Sequence, residues 1–304
     1  MILRSLLLRL ADSAWAERVI RQNAMSAGLV RRFVAGDDMQ STVEPVRALN
    51  AQGVAVSLDC LGENVTVPAD SDRFAEYYHE LLAFIARHDL HAGISLKLTQ
   101  LGLDIDPSMA QRNLISIVEA AAGVKRFVRI DMEASGYVDR TLAVFYAALA
   151  ERPNVGIVVQ ACLHRTHADV EKLVQAGAQV RLVKGAYREL PSVAVQATRE
   201  IRANFSAMAT QLMAGRAYTA IATHDDTLVE SALAAAEGLG LARDRYEFQV
   251  LYGMRRDLQE SLVARGNRMR VYMPFGTHWY GYLTRRLAER PANLWFFLRN
   301  AARR

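Results

Sequence analysis

The chain has 304 residues, 51% hydrophobic and 23% charged, an ordinary globular composition long enough for one large core. Lysine and arginine number 37 against 32 acidic residues, a net charge of +5. That charge is too mild and too evenly scattered to argue for a nucleic-acid partner, although it suits weak attraction to an anionic membrane surface. The two cysteines, Cys60 and Cys162, fall in apolar runs and read as small core residues of a protein in the reducing cytoplasm, not as a bridge or a metal site.

In chain order, the opening segment has the hydrophobicity of a signal peptide, but Arg4 and Arg9 break it and Asp12 and Glu17 follow at once. Ile2, Leu3, Leu6, Leu7, Leu10 and Ala14 share one helical face, so residues 1–50 are expected to form helices packed on the body. No apolar run is long enough to span a bilayer. Buried, β-branched runs then alternate with helical patterns. The strands predicted are Val54–Leu61, Gly93–Thr99, Phe127–Met132, Gly156–Leu163, Val180–Ala186, Tyr218–Thr223, Phe248–Leu251 and Met269–Met273. Asp106-Pro107 opens one helix, Thr166 is expected to cap His167–Gln175, and Pro191 to begin a long helix ending near Gly215. Asp225 or Asp226 caps the helix through Glu237. Eight strand–helix units in one α/β chain is the count of a (β/α)8 barrel of the TIM type, with an open doubly wound sheet as the competing arrangement. No linker or repeat divides residues 1–304, so a single domain is expected.

In such a barrel, function sits where strands end. Those ends carry Asp59, Glu63, Lys97, Asp131, Glu133, Gln160, Cys162, Arg181, Lys184, Tyr187, Thr223, His224, Asp225, Gln249, Leu251, Tyr252 and Tyr272. Charges inside buried strands are costly unless paired or used, and together Lys97, Asp131, Arg181 and Lys184 favour a site over internal salt bridges. A further helix is predicted from about Trp279 to Arg290, after a run stopped by Pro274 and Gly276. On it Tyr282, Arg285, Arg286 and Glu289 fall on one face. Two guanidiniums beside an aromatic ring suit a small, partly apolar carboxylate, the alternative being a solvated charged face.

The same strand ends admit rival chemistries. A lysine inside a barrel strand, Lys97 or Lys184, marks Schiff-base lyases of the class I aldolase type. His224-Asp-Asp226 and His164-x-x-His167 supply metal-ligand types without a strong spacing. No Gly-x-Gly-x-x-Gly follows a strand, and no serine sits on a nucleophile elbow. A dinucleotide lying across the barrel mouth would still find positive partners in Arg181, Lys184 and the segment near Gly185 and Ala186.

Taken in register, several segments resemble the FAD-dependent proline dehydrogenases, both the compact monofunctional bacterial form and the corresponding domain of bifunctional proline-utilisation flavoproteins. The segments are Leu58-Asp-Cys-Leu-Gly-Glu63, Ser95-Leu-Lys-Leu-Thr99, Arg129-Ile-Asp-Met-Glu133, Val159-Gln-Ala161, Arg181-Leu-Val-Lys-Gly-Ala-Tyr187, Ala222-Thr-His224, Phe248-Gln-Val-Leu-Tyr-Gly253, and Tyr272 through Arg285-Arg-Leu-Ala-Glu289. The resemblance implies that Arg285 and Arg286 hold the substrate carboxylate with Lys97 assisting. Tyr272, Tyr282 and Leu251 would wall the pyrrolidine ring, and Glu289 would pair within the charged cluster. Lys97, Asp131, Tyr272, Arg285 and Arg286 are thereby the implied catalytic residues. Asp131, Gln160, Arg181, Val183, Lys184, Gly185, Ala186, Tyr187, Thr223, His224, Gln249 and Glu289 are the implied contacts of the FAD. Cys162 stands where the family commonly has tyrosine, and Arg188 where a larger apolar residue is common; both bear on cofactor packing. The implied reaction is oxidation of L-proline to 1-pyrroline-5-carboxylate, the first step of proline degradation to glutamate. Electrons would pass to a quinone at the membrane surface, which a cytoplasmic, peripherally associating enzyme reaches by transient contact. The tyrosine at Tyr282 is associated with members selective for proline over hydroxyproline.

Overall fold

In the computed structural model, residues 30–187, 189–215, 217–280 and 282 are described. The expected amphipathic helix at the N-terminus, Arg188, and the positions Arg285, Arg286 and Glu289 lie outside them. Eight strands, β1 (Val54–Cys60), β2 (Ala92–Leu96), β3 (Val128–Ile130), β4 (Val155–Gln160), β5 (Gln179–Val183), β6 (Thr219–Ala222), β7 (Tyr246–Leu251) and β8 (Met269–Phe275), form a closed barrel in sequence order. Every pairing is parallel, and β1 closes on β8 from Val54↔Met269 to Cys60↔Phe275. The strands of such a sheet are buried on both faces, which is why β1, β2, β3 and β4 are continuous buried runs in place of an alternating pattern.

The connecting helices are α1 (Val43–Asn50), α2 (Pro68–Arg87), α3 (Pro107–Gly123), α4 (Val138–Glu151), α5 (Thr166–Gln175), α6 (Thr198–Ala214), α7 (Asp226–Gly238) and α8 (Arg256–Ala264). Proline at the start of α2 and α3 presets the first helical φ where no intrahelical donor is needed. Asp106 completes the start of α3 by accepting the Ser108 N–H at 2.9 Å. The inward faces of the helices, through Tyr78, Leu81, Ile85, Leu114, Ile117, Phe145, Leu173, Phe205 and Met208, pack on the barrel in one continuous core. A second cluster of Phe33, Val34, Leu61, Trp279, Tyr280 and Tyr282, with Tyr272 packed against it, covers the β1–β8 side of the mouth. Among the described residues no helix is long and apolar enough to cross a membrane.

Three local expectations are corrected. β8 is not stopped by Pro274 but runs on to Phe275; Pro274 lies near the strand's end, and its carbonyl accepts the Ala35 N–H at 2.9 Å. Pro191 does not begin a helix. Residues 191–197 are drawn instead against the segment after β4, through His164 N–H to Val193 O at 3.0 Å and Val195 N–H to Cys162 O at 2.8 Å, so α6 starts only at Thr198. Thr166 is the first residue of α5 and not its cap, because its hydroxyl donates to Gln160 O at 2.7 Å.

Candidate active site

Side chains two residues apart on a barrel strand point to the same side. That spacing brings Ser57 and Asp59 of β1, Ser95 of β2 and Lys97 just beyond it, Asp131 just beyond β3, Arg181 of β5 and Tyr272 of β8 into one linked group. Lys97 Nζ lies 3.1 and 3.3 Å from the two oxygens of Asp59, which is 0% exposed, and 4.0 Å from Asp131 Oδ2. Asp131 is shared: Arg181 Nη1 donates to one oxygen at 2.8 Å and the Tyr272 hydroxyl to the other at 2.8 Å. Arg181 also donates to Ser95 Oγ at 3.1 Å, and its guanidinium carbon stands 5.3 Å from the centre of the Tyr272 ring.

Burial sets the electrostatics of this group. It lowers the affinity of the Lys97 ammonium for its proton, yet Asp59 and Asp131 outweigh it and hold Lys97 above its ordinary value. Burial pushes the Asp59 carboxyl up against the opposing charge of Lys97, with Asp131 adding to the rise. Burial, with the charges of Asp131 and Asp59, keeps the Tyr272 phenol well above its usual range, so Tyr272 remains a hydrogen-bond donor. A Schiff-base lysine must be available without its proton, and Lys97 is held in the opposite state.

The loop after β2 is pinned from below. Gln100 Oε1 accepts the Lys97 N–H at 3.0 Å and the Tyr78 hydroxyl at 2.8 Å, while its amide donates to Cys60 O at 2.7 Å and Gly62 O at 2.9 Å. Next to it Thr99 Oγ1 donates to Glu133 at 2.8 Å, and burial raises the Glu133 carboxyl to about 7. Gln160 reaches the same corner, donating to Glu133 O at 2.9 Å.

On the opposite side of the mouth, β5 ends at Val183 and is followed by Lys184, Gly185, Ala186 and Tyr187, of which Gly185 and Ala186 are exposed and the others half-buried. Gly185 has φ +109°, and a Cβ there would fall 2.3 Å from Cys162 Sγ, so this backbone accepts only glycine. Asp225, expected to cap α7, makes no capping bond; Lys184 at 3.1 Å and Arg202 of α6 at 2.8 Å occupy its carboxylate. Its backbone N–H is taken by Thr223 Oγ1 at 3.2 Å. His224 Nε2 accepts the Leu251 N–H at 3.1 Å, which ties the end of β6 to that of β7. Gln249 sits lower, donating to Glu247 at 2.5 Å. Tyr282 is buried in the cluster that Tyr272 packs against.

Sequence reasoning did not find Ser95, Arg202 or the Ser135–Glu189 contact, in which Ser135 N and Oγ donate to Glu189 at 2.7 and 2.6 Å. Ser95 lies within a strand and could have been read by its spacing from Lys97. Arg202, four residues into a helix, carries no such signal.

Comparison with known proteins bears on this arrangement. The family model described as proline dehydrogenase matches residues 42–299. The chain is 39% identical over 298 residues to proline dehydrogenase 2 of Bacillus subtilis (strain 168), covering 97% of each. It is 35% identical over 298 residues to the proline dehydrogenase of Deinococcus radiodurans, covering 96% of each. Among solved structures, proline utilization A from Bdellovibrio bacteriovorus inactivated by N-propargylglycine superposes with a TM-score of 0.81 at 25% identity, over 90% of this chain and 34% of that one. With the family model spanning most of the barrel and two relatives similar from end to end, the chain belongs to the proline dehydrogenase family.

Proposed function

We propose that the protein, a single barrel domain, is an FAD-dependent enzyme that oxidises L-proline to 1-pyrroline-5-carboxylate and passes the electrons to a quinone. The observation that carries this reading is the Asp59–Lys97–Asp131–Arg181–Tyr272 group at the strand ends, in a chain whose relatives are proline dehydrogenases. The residues present fit the cofactor. Lys184 and Arg202 offer positive charge beside Gly185, whose backbone leaves an exposed, side-chain-free approach at the end of β5. Val183, Lys184, Ala186, Tyr187, Thr223 and His224 line the same side, with Gln160 and Asp131 toward the centre. When bound, FAD supplies the acceptor for the hydride and its two electrons.

The chain's own residues position the substrate. Arg285 and Arg286, on the segment the sequence predicts to be helical, grip the carboxylate, and the Lys97 ammonium assists while its charge is held by Asp59. Tyr272 and Leu251 wall the ring, Tyr282 packs against the opposite edge and Glu289 steadies the arginines. Tyr272, anchored on Asp131, keeps its ring fixed, so orientation is the main contribution of the protein. The amine must lose its proton before or with the carbon–hydrogen bond. Lys97 already carries a proton and does not take this one, and rate rises with pH until the bound amine is deprotonated. The quinone places the working enzyme in the cytoplasm with transient contact at the membrane surface.

Colour tests the reading directly. The purified protein should be yellow, lose its flavin absorbance under anaerobic L-proline, and regain it with a soluble quinone. Acid precipitation should release FAD into the supernatant. A colourless protein that gains no activity with added FAD, or a borohydride-trapped carbonyl adduct on Lys97 or Lys184, would replace this reading with the Schiff-base one.

A further inference from the structure

Below the charged mouth the barrel holds a second cavity of about 270 Å³, at the N-terminal ends of its strands. A single water needs only about 10–15 Å³, so this space admits a small solute. Its wall is charged unevenly, with Arg129, Arg181, Arg268 and Arg270 facing one acid, Glu247. Two of these arginines are offset: Arg270 pairs with Glu247 at 2.8 Å, and Arg181 with Asp131 above at 2.8 Å. Among the described residues no carboxylate lies within 4.0 Å of Arg129 or Arg268.

Arg129 is the informative one. It is 4% exposed, and its Nη1 donates to the backbone carbonyls of Ile157 at 3.1 Å and Gln179 at 2.7 Å. Carbonyls satisfy hydrogen atoms but carry no opposing charge, and Glu247 and Asp131 offset the guanidinium only from a distance, an expensive state for a buried ion. Burial first, and the neighbouring Arg181 guanidinium second, pull Arg129 down to about 9. Arg181 Nε, also buried and lining this wall, has no hydrogen-bond partner. Glycines let the wall of this cavity pack closely. A Cβ on Gly156 would fall 2.4 Å from Arg129 Nη1, and one on Gly93 would fall 2.7 Å from Phe127 O. Arg268 is exposed at the opening, and the hydroxyls of Ser57 and Tyr218 line the wall.

Four guanidiniums set against the carboxylates of Glu247 and Asp131 leave an excess of two positive charges, the charge of a dianion, and donors arriving from several strands match oxygens directed all round a tetrahedral centre. We propose that the N-terminal end of the barrel is a second site, separate from the mouth, that binds a small tetrahedral oxyanion of the phosphate class between Arg129 and Arg268. The anion is free phosphate or the phosphate of a small monoester.

Calorimetric titration of the full chain, with FAD in excess to occupy any nucleotide site, decides the matter. Inorganic phosphate and glycerol phosphate are added at ionic strength held constant with chloride. Saturable binding is expected, weakened at least tenfold in Arg268→Ala and again in Arg129→Gln, while phosphate-free proline oxidation by Arg268→Ala stays at the wild-type rate. Tighter binding of the monoester assigns the site to a phosphorylated metabolite, and equal or weaker binding to free phosphate. Absence of saturable binding in the wild type, or wild-type binding in Arg268→Ala, overturns the proposal. Arg268 is exposed, so that variant is decisive even where Arg129→Gln does not fold.

Discussion

Replacing Lys97 by methionine keeps most of the length of the side chain and removes its charge. Asp59, fully buried, then loses the ammonium 3.1 and 3.3 Å away, and Asp131 loses a positive neighbour at 4.0 Å. Removing one partner of a buried pair costs about 3–5 kcal/mol, a large share of the roughly 5–15 kcal/mol that stabilises a domain. The loss depends on pH in a defined direction. Burial already raises the Asp59 carboxyl above its ordinary 3.8, and Lys97 is the main influence opposing that rise. Without it the folded protein holds the Asp59 proton still more tightly than the unfolded chain does. Stability therefore falls as pH rises from the unfolded value through the folded one, and the deficit against wild type is larger at pH 8 than at pH 5. Urea midpoints at both pH values, with FAD in excess, measure it. Asp59→Asn added to Lys97→Met should recover part of the loss, because no charge is then left stranded. A deficit below about 1 kcal/mol, or one equal at both pH values, would show that Lys97 and Asp59 are not a desolvated pair.

Glu133 provides an independent pH test. Its carboxyl is raised from 4.5 to about 7, so its contribution to stability declines as pH rises across that window, by on the order of 3 kcal/mol; Glu133→Gln should gain on wild type between pH 5 and pH 8, and parallel urea midpoints would refute it. Arg285→Met and Arg286→Met should each lower kcat/KM for L-proline by about ten- to a hundredfold, chiefly through KM, with flavin still bound; wild-type kinetics in both would make the predicted face of Tyr282, Arg285, Arg286 and Glu289 a solvated one. Tyr282→Ser should narrow the preference for L-proline over trans-4-hydroxy-L-proline by about 1–3 kcal/mol, read as the ratio of kcat/KM values, and an unchanged ratio would turn Tyr282 away from the substrate.

The barrel was legible in the sequence because a parallel strand buried on both faces leaves an uninterrupted apolar run, and eight such runs recur between helical patterns. Its boundaries were less so where long-range pairing overrides a local signal, as at Pro191, where His164 and Val195 form backbone bonds across the loop. Charges inside those runs marked Lys97, Asp131, Arg181 and Lys184; the fold joins the first three, with Tyr272, through Asp131, while Lys184 pairs apart from them with Asp225. What the sequence hides is partner and level. Asp225 has the local context of a helix cap, yet two cations from other elements take it, one of them 41 residues away. Level is subtler. Ser95 and Lys97, Arg129 and Asp131, Gln249 and Leu251, and Arg270 and Tyr272 are all pairs two apart on one strand, and each pair points inward together. Strand direction puts the later member of each pair nearer the mouth, and the stagger between strands, such as Asp59 beside Ser95 and Arg129 beside Gly156, decides which residues of different strands share a layer. Polar residues read as a single cluster along the chain therefore divide into two layers. Arg181 joins them, since it holds Asp131 above and lines the arginine-rich cavity below.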